Sequence, residues 1–324
     1  MPSRRTFLIS LGALGLPIMQ GACNHSGTPL RIASYVWPGY EFMFLAQREG
    51  WINQLEAVLV ETGSATESIQ LLTAGQVDGA ALTLDEVLGA RARGLSLVVI
   101  LVFDISLGAD VLLSRPGIEN MVQLKDKRIG YEPSAVGALM LHKALAIAGL
   151  RPDQVVSIPV TFDRHYEAWE AGEVDALITF EPVSSHLQEK GALRLFDSSQ
   201  IPDIIFDVLA VTPEAMRRKP EALSHLIAAH FRGLRNFRKN PNDTAYRMAE
   251  RFRLPAKEVL TAYAGLELPN IYRNRKLLRA EDSPLVETAR ELSEFLLHTG
   301  ILPNRLTDWS DLTSPAFLPL EDSP

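Results

Sequence analysis

Apolar residues along this chain fall into two alternating patterns. One is a short continuous run rich in Val, Ile, Leu and Ala; the other is a longer stretch in which they return every three or four positions. The first is the mark of a strand buried on both faces, the second of a helix with one buried stripe. Their alternation predicts βα units and a largely parallel sheet, an α/β fold. A first strand is expected over 31–35. Trp37-Pro38-Gly39-Tyr40 breaks it before a helix running to about Glu49, whose Phe42, Met43, Leu45 and Ala46 form the core stripe and which Gly50 ends. Residues 58–61 read as a second strand, and Ser64 or Thr66 caps the helix that carries Ile69, Leu71 and Leu72 inward. A small-residue strand closing on Thr83 leads into Leu84-Asp85-Glu86, a helix start with acids where the dipole favours them. Residues 97–103 are continuously apolar and predict a central strand. The stretch 103–109 breaks that run before 110–113 resumes, which predicts a first crossover.

The same order then repeats. A strand at 128–131, the loop Glu132-Pro133-Ser134, a helix over about 135–148 and a strand at 155–160 are followed by a helix that starts near Phe162-Asp163-Arg164-His165 and stops at Gly172. The strand after it closes on Thr179-Phe180-Glu181-Pro182. Ala74-Gly75-Gln76-Val77-Asp78 has its counterpart in Ala171-Gly172-Glu173-Val174-Asp175, and Leu30-Arg31-Ile32-Ala33 in Lys127-Arg128-Ile129-Gly130. Arg31 and Arg128 are separated by 97 positions, as are Gly75 and Gly172. Two evenly spaced copies imply two α/β lobes with a site between them. The apolar run 206–211 is the return crossover. Beyond Thr212 the period is helical, with Leu223, Leu226, Ile227, Phe231 and Leu234 in one stripe and Leu292, Phe295 and Leu296 in another. These helices are expected on the first lobe. The division that follows is lobe 1 over 30–108 plus 208–315, lobe 2 over 109–207, and a loosely held acidic tail over 316–324.

Composition narrows the function. A chain of 324 residues with 47% hydrophobic and 22% charged residues suits two globular lobes. A net charge of −7 excludes a general nucleic-acid binder. The single cysteine, Cys23, excludes an intrachain disulfide and a multi-cysteine metal site, so neither metal nor cofactor is expected. No catalytic residue is predicted, because no Ser-His-Asp or Cys-His spacing and no phosphate loop stands out. Arg4-Arg5-Thr6-Phe7-Leu8 matches a twin-arginine export signal over 1–22, whose apolar run is too short for a membrane span. Gln20-Gly21-Ala22-Cys23 is similar to a lipobox, with Gln20 in place of the usual aliphatic residue. Cys23 is the expected lipidation site and 23–29 the tether of a periplasmic, membrane-held protein.

Trp37-Pro38-Gly39-Tyr40-Glu41 with Leu45-Ala46 and Gly50, Ser64-Ala65-Thr66-Glu67-Ser68, Gly75-Gln76-Val77-Asp78, Val174-Asp175-Ala176 and Phe180-Glu181-Pro182 resemble the substrate-binding proteins of ABC importers in the nitrate, sulfonate, taurine and thiamine-pyrimidine group. The resemblance spans about 30–211. It implies a two-lobed periplasmic binding protein fold of type II with two crossover hinge strands, closure on a small nutrient, and delivery to an ABC permease and its ATPase. A monomer is expected. The fold also occurs in a thiamine-pyrimidine synthase with a cysteine-rich iron motif, which this chain lacks, and in chorismate dehydratases, whose cytoplasmic location conflicts with an export signal. A ligand-sensing lipoprotein that docks on a membrane receptor is the other alternative.

Ligands of open α/β sheets sit beyond the carboxyl ends of the strands. That rule selects Trp37, Tyr40, Ser64, Thr66, Thr83, Asp85, Ser134, Val136, Thr179 and Glu181, joined by His165 at a loop-to-helix junction and by Asp104 and Asp207 at the crossovers. Trp37 and Tyr40 flank a turn and offer flat faces with polar tips. Ser64, Thr66 and Ser134 stand at helix starts, where unpaired N–H groups suit an anion or simply receive a cap. Asp78 and Asp175 are read as turn-holding residues. Glu41, Asp85, Asp104, Glu181 and Asp207 bring acids near the cleft, while no Arg or Lys falls in the five loops. An anion site normally adds a cation. The balance favours an amine or neutral heterocycle over an oxyanion.

Overall fold

The computed structural model describes residues 28–133, 136–279 and 283–320. The export signal, Cys23, Ser134 and residues 321–324 lie outside them. The strands are β1 (Leu30–Ser34), β2 (Ala57–Glu61), β3 (Gly79–Thr83), β4 (Val98–Ser106), β5 (Val111–Ser114), β6 (Arg128–Tyr131), β7 (Val156–Pro159), β8 (Ala176–Thr179), β9 (Leu193–Asp197), β10 (Phe206–Val211) and β11 (Leu266–Glu267). They form two mixed sheets, one ordered β11-β4-β10-β3-β1-β2 and the other β7-β6-β8-β5-β9. In the first, β1 lies parallel between β2 and β3; in the second, β6 lies parallel between β7 and β8. The chain leaves the first sheet after β4 and returns to it at β10, so the lobes share two crossovers.

The helices are α1 (Glu41–Arg48), α2 (Ala65–Thr73), α3 (Leu84–Ala92), α4 (Val136–Ala148), α5 (His165–Glu170), α6 (Val183–Glu189), α7 (Pro213–Arg218), α8 (Pro220–Lys239), α9 (Pro241–Phe252), α10 (Ala256–Ala262), α11 (Ile271–Leu277) and α12 (Pro284–His298). The doubled phrase has one structural meaning. Gly75 and Gly172 take φ of 66° and 70°, the left-handed step that ends a helix cheaply only in glycine. Asp78 then accepts the Arg31 N–H at 2.8 Å and Asp175 the Arg128 N–H at 2.9 Å, each tying the start of one strand to its neighbour. In α8 the predicted stripe of Leu223, Leu226, Ile227, Phe231 and Leu234 is buried, and Gly233 lets Phe42 of α1 approach closely. The later helices pack about the first sheet, α8 on α1 and α12 on α3.

Three details differ from the sequence pattern. β4 does not break at Phe103 but runs through Asp104 to Ser106, because β10 and β11 pair along its far end and supply the ladder that a buried Asp cannot favour by itself. β9 carries no clear alternation, being an edge strand half open to solvent. The segment after Pro315 is held as far as Pro319: following the bridge of Thr313 to Val99, Phe317 and Leu318 are buried and Arg275 donates to the Pro319 carbonyl. Burial of those two apolar side chains holds the segment down.

Candidate functional site

The two crossover strands lie side by side, and their register places Asp104 of β4 directly opposite Asp207 of β10, with Thr83 of β3 on the other side of Asp207. Asp104 and Asp207 are 0% and 1% exposed. The loop after β1 covers them. Trp37 Nε1 donates to Asp104 Oδ2 at 3.0 Å, and the Tyr40 hydroxyl donates to Asp207 Oδ1 at 2.5 Å. Gly39 makes this approach possible, since a Cβ there would lie 1.7 Å from Asp104 Oδ2. Asp104 Oδ1 and Asp207 Oδ2 have no hydrogen-bond partner among the described residues. Like charges set opposite in a sheet repel, so the neighbouring carboxyls disfavour each other's charged form. Burial pushes Asp104 up to about 8, and burial with the charge of Asp104 lifts Asp207 well above the carboxylate range.

Three more acids are buried nearby, and the charge of Asp110 acts on both members of the pair. Asp85 and Glu86 stand in the first turn of α3 and Asp110 just before β5, all buried. Burial raises Asp85 to about 6 and Asp110 to about 7, and burial with the charge of Asp85 raises Glu86 further. The Thr83 N–H donates to Glu86 Oε2 at 2.8 Å, leaving Glu86 Oε1 unpartnered. None of the five acids takes part in an ion pair among the described residues. Buried carboxyls without a cation stay neutral or await one.

Rings from both lobes meet where Trp37 and Tyr40 bond to the acid pair. Phe180, after β8, meets Trp37 edge-on at 5.1 Å and Tyr35 at 5.9 Å, and Phe162, after β7, stacks on Phe180 at 4.1 Å and 11°. Tyr35 and Tyr40 touch at 5.4 Å. Aromatic faces above carboxyl groups suit a flat solute with N–H donors or positive charge. No group of three or more His, Cys, Asp or Glu among the described residues could hold a metal ion.

The remaining predicted positions divide. Both nitrogens of His165 are used inside the second lobe: the Val160 carbonyl can only accept, so Nε2 carries the proton at 3.2 Å, and Nδ1 accepts from the Thr179 hydroxyl at 3.1 Å. Burial lowers this imidazole to about 4, keeping it neutral. Glu181 receives the N–H and hydroxyl of Ser185 on α6, capping its own helix. Glu181 lines a cavity of about 510 Å³ beside the crossovers with Gly108, Asp197 and Gly265. Ser64 caps α2 by accepting the Glu67 N–H, and Val136 is buried at the start of α4. Thr66 meets Glu132 of the other lobe. Glu41 pairs with Arg251 instead of joining the acids of the cleft, on the edge of a groove of about 850 Å³ along the seam, where Phe44 and Gly63 face Phe162 and Asp163. Tyr35, Glu86, Asp110, Glu132, Phe162 and Phe180 were not singled out from sequence. Their signal was adjacency: each lies within a few residues of a selected loop.

The family model described as NMT1/THI5 like matches residues 37–244. A provisionally named binding protein of Brucella abortus is 29% identical over 236 residues, 69% of this chain and 71% of its own. A Haemophilus influenzae protein provisionally assigned to thiamine biosynthesis is 26% identical over 170 residues, 52% of this chain and 50% of its own. Among solved structures, the alkanesulfonate-binding protein SsuA of Xanthomonas axonopodis pv. citri bound to MOPS superposes with a TM-score of 0.74 at 17% identity, covering 90% of this chain and 98% of its own. The periplasmic nitrate-binding protein NrtA of Synechocystis gives 0.68 at 11% identity, covering 85% and 82%. With these likenesses beside the doubled lobes and paired crossovers, the chain has the periplasmic binding protein fold and belongs to the NMT1/THI5-like family.

Proposed function

We propose that this protein is an extracytoplasmic solute-binding protein of an ABC importer, which closes its two lobes over a small amine-bearing or neutral heterocyclic nutrient and passes it to a permease and its ATPase. One observation carries the choice of solute: five buried acids, Asp85, Glu86, Asp104, Asp110 and Asp207, have no ion-paired cation among the described residues, and rings of both lobes meet where Trp37 and Tyr40 bond to Asp104 and Asp207. An oxyanion would find no paired cation there, whereas a ring bearing N–H donors would satisfy the open oxygens of Asp104, Asp207 and Glu86. The Haemophilus relative named for thiamine biosynthesis makes an aminopyrimidine a natural first candidate within that class. Trp37 and Tyr35 would stack on the solute from one lobe and Phe180 from the other, so both lobes contact it only when shut, and binding shifts an open–closed equilibrium about the crossovers. Export by the twin-arginine route and lipidation at Cys23 would put this capture in the periplasm, at a membrane surface. No catalytic step is part of the proposal.

The test is a thermal-shift screen of the purified protein with 4-aminopyrimidine, simple amines, ethanesulfonate and nitrate, paired with mass spectrometry of any solute carried through gentle purification. A bound ligand raises the melting temperature by mass action. Stabilisation by amino compounds is the expected result. Stabilisation only by sulfonates or nitrate would sink the assignment.

A further inference from the structure

We infer that Glu132 is a built-in anion that latches the two lobes and excludes acidic solutes from the cleft; this rests on the cleft being the solute site. The helix α2 begins in the first lobe with its capping already arranged: Ser64 Oγ accepts the Glu67 N–H at 3.2 Å, and the Glu67 carboxylate returns to the Gly63 N–H at 2.7 Å. The Thr66 N–H and hydroxyl are left facing the second lobe. There they meet Glu132, whose Oε1 accepts both, at 3.0 and 2.5 Å. Its other oxygen accepts the Phe162 N–H of the second lobe at 3.1 Å. The side chain is 3% exposed. One carboxylate therefore bridges donors from both lobes at a helix start, the placement an anionic solute held between lobes would need.

The backbone fixes Glu132 in this role. Gly137, in the first turn of α4, sits so close to Glu132 that a Cβ would lie 2.8 Å from both its N and its O. Gly63, beside α2, is likewise pressed against Asp163 of the second lobe, where a Cβ would be 3.2 Å from the Asp163 Cβ. A tethered carboxylate competes with a free one at a high effective concentration, and it also repels any acid that enters. A neutral or cationic solute meets neither penalty. Glu132 thus separates this chain, within one fold, from a protein that accepts oxyanions.

The test compares wild type with Glu132→Ala and the volume-preserving Glu132→Gln, titrated calorimetrically with ethanesulfonate and with 4-aminopyrimidine, folding being checked by circular dichroism. Ethanesulfonate should bind Glu132→Ala at least about ten-fold more tightly than wild type, with Glu132→Gln intermediate. The solute-free variants should scatter X-rays as a more open particle than wild type. Equal ethanesulfonate affinity in wild type and in a folded variant overturns the selectivity role, and an unchanged radius of gyration overturns the latch. Failure of 4-aminopyrimidine to bind wild type would count against the solute class alone, because the ethanesulfonate comparison reads Glu132 independently.

Discussion

Asp104 and Asp207 face each other across β4 and β10, fully buried and, among the described residues, with no cation paired to either. Their carboxyls are raised by burial first, Asp104 to about 8. The folded chain therefore holds protons that the unfolded chain has already released near pH 4. Stability from this pair is present below the unfolded carboxyl range and is lost as pH rises toward about 8. The slope should be up to about 1.4 kcal/mol per pH unit per group. Replacing Asp207 by Asn removes the repulsion, so in urea denaturation the variant should gain on wild type steadily between pH 5 and pH 8, those limits being roughly the window the linkage sets. A pH-independent difference between the two proteins would show that the pair is not proton-linked.

Trp37 donates to Asp104 and meets Phe180 of the other lobe edge-on. Trp37→Ala should weaken binding of the purified solute, or of 4-aminopyrimidine, by about 1–3 kcal/mol, the cost usual for losing a buried aromatic anchor. Calorimetry on a variant with wild-type circular dichroism measures it. An unchanged dissociation constant would remove Trp37 from the binding surface.

Gly39 leaves no room for a methyl group, with Asp104 Oδ2 1.7 Å from the position of a Cβ. Gly39→Ala must push the loop away from Asp104 and break the Trp37 hydrogen bond. Overpacking of this kind costs about 1–3 kcal/mol. Both the melting temperature and solute affinity should fall together; a variant as stable and as tight-binding as wild type would contradict the close approach.

Asp78 holds the Arg31 N–H and the Lys219 ammonium, far from the cleft. Asp78→Ala should lower unfolding free energy by about 1–2 kcal/mol through unmade hydrogen bonds. Solute affinity should stay unchanged, and so it should for Asp175→Ala, which acts in the same direction on the second lobe. A fall in affinity without a fall in stability would give the repeated aspartates a part in binding.

Much of the fold was legible because its signals are local. Gly75 and Gly172 announce helix ends by their own left-handed backbone, and Ser64 and Thr83 announce helix starts by where they stand. Trp37 and Tyr40 were selected because a Pro-Gly turn marks a loop. His165 and Glu181 were drawn in by the same rule, yet their polar atoms are consumed within the second lobe, by Val160 and Thr179 and by Ser185. Position in a loop does not reveal what a side chain finds when it gets there. Asp104 sits inside a strand that sequence alone would end one residue earlier, because the partner strand that sustains it lies some hundred residues away.

The order of residues by itself determined the doubled α/β lobes, the two crossovers and the turn-holding aspartates, since each depends on periodicity and on backbone preferences written into neighbouring positions. Only the tertiary structure decided that five separately placed acids are buried without an ion-paired cation among the described residues, that Phe162 stacks on Phe180 and Phe180 meets Trp37, and that Glu132 accepts from the start of α2. The energies of those arrangements come from burial and from charges brought together across the lobes, and no local pattern in the chain records them.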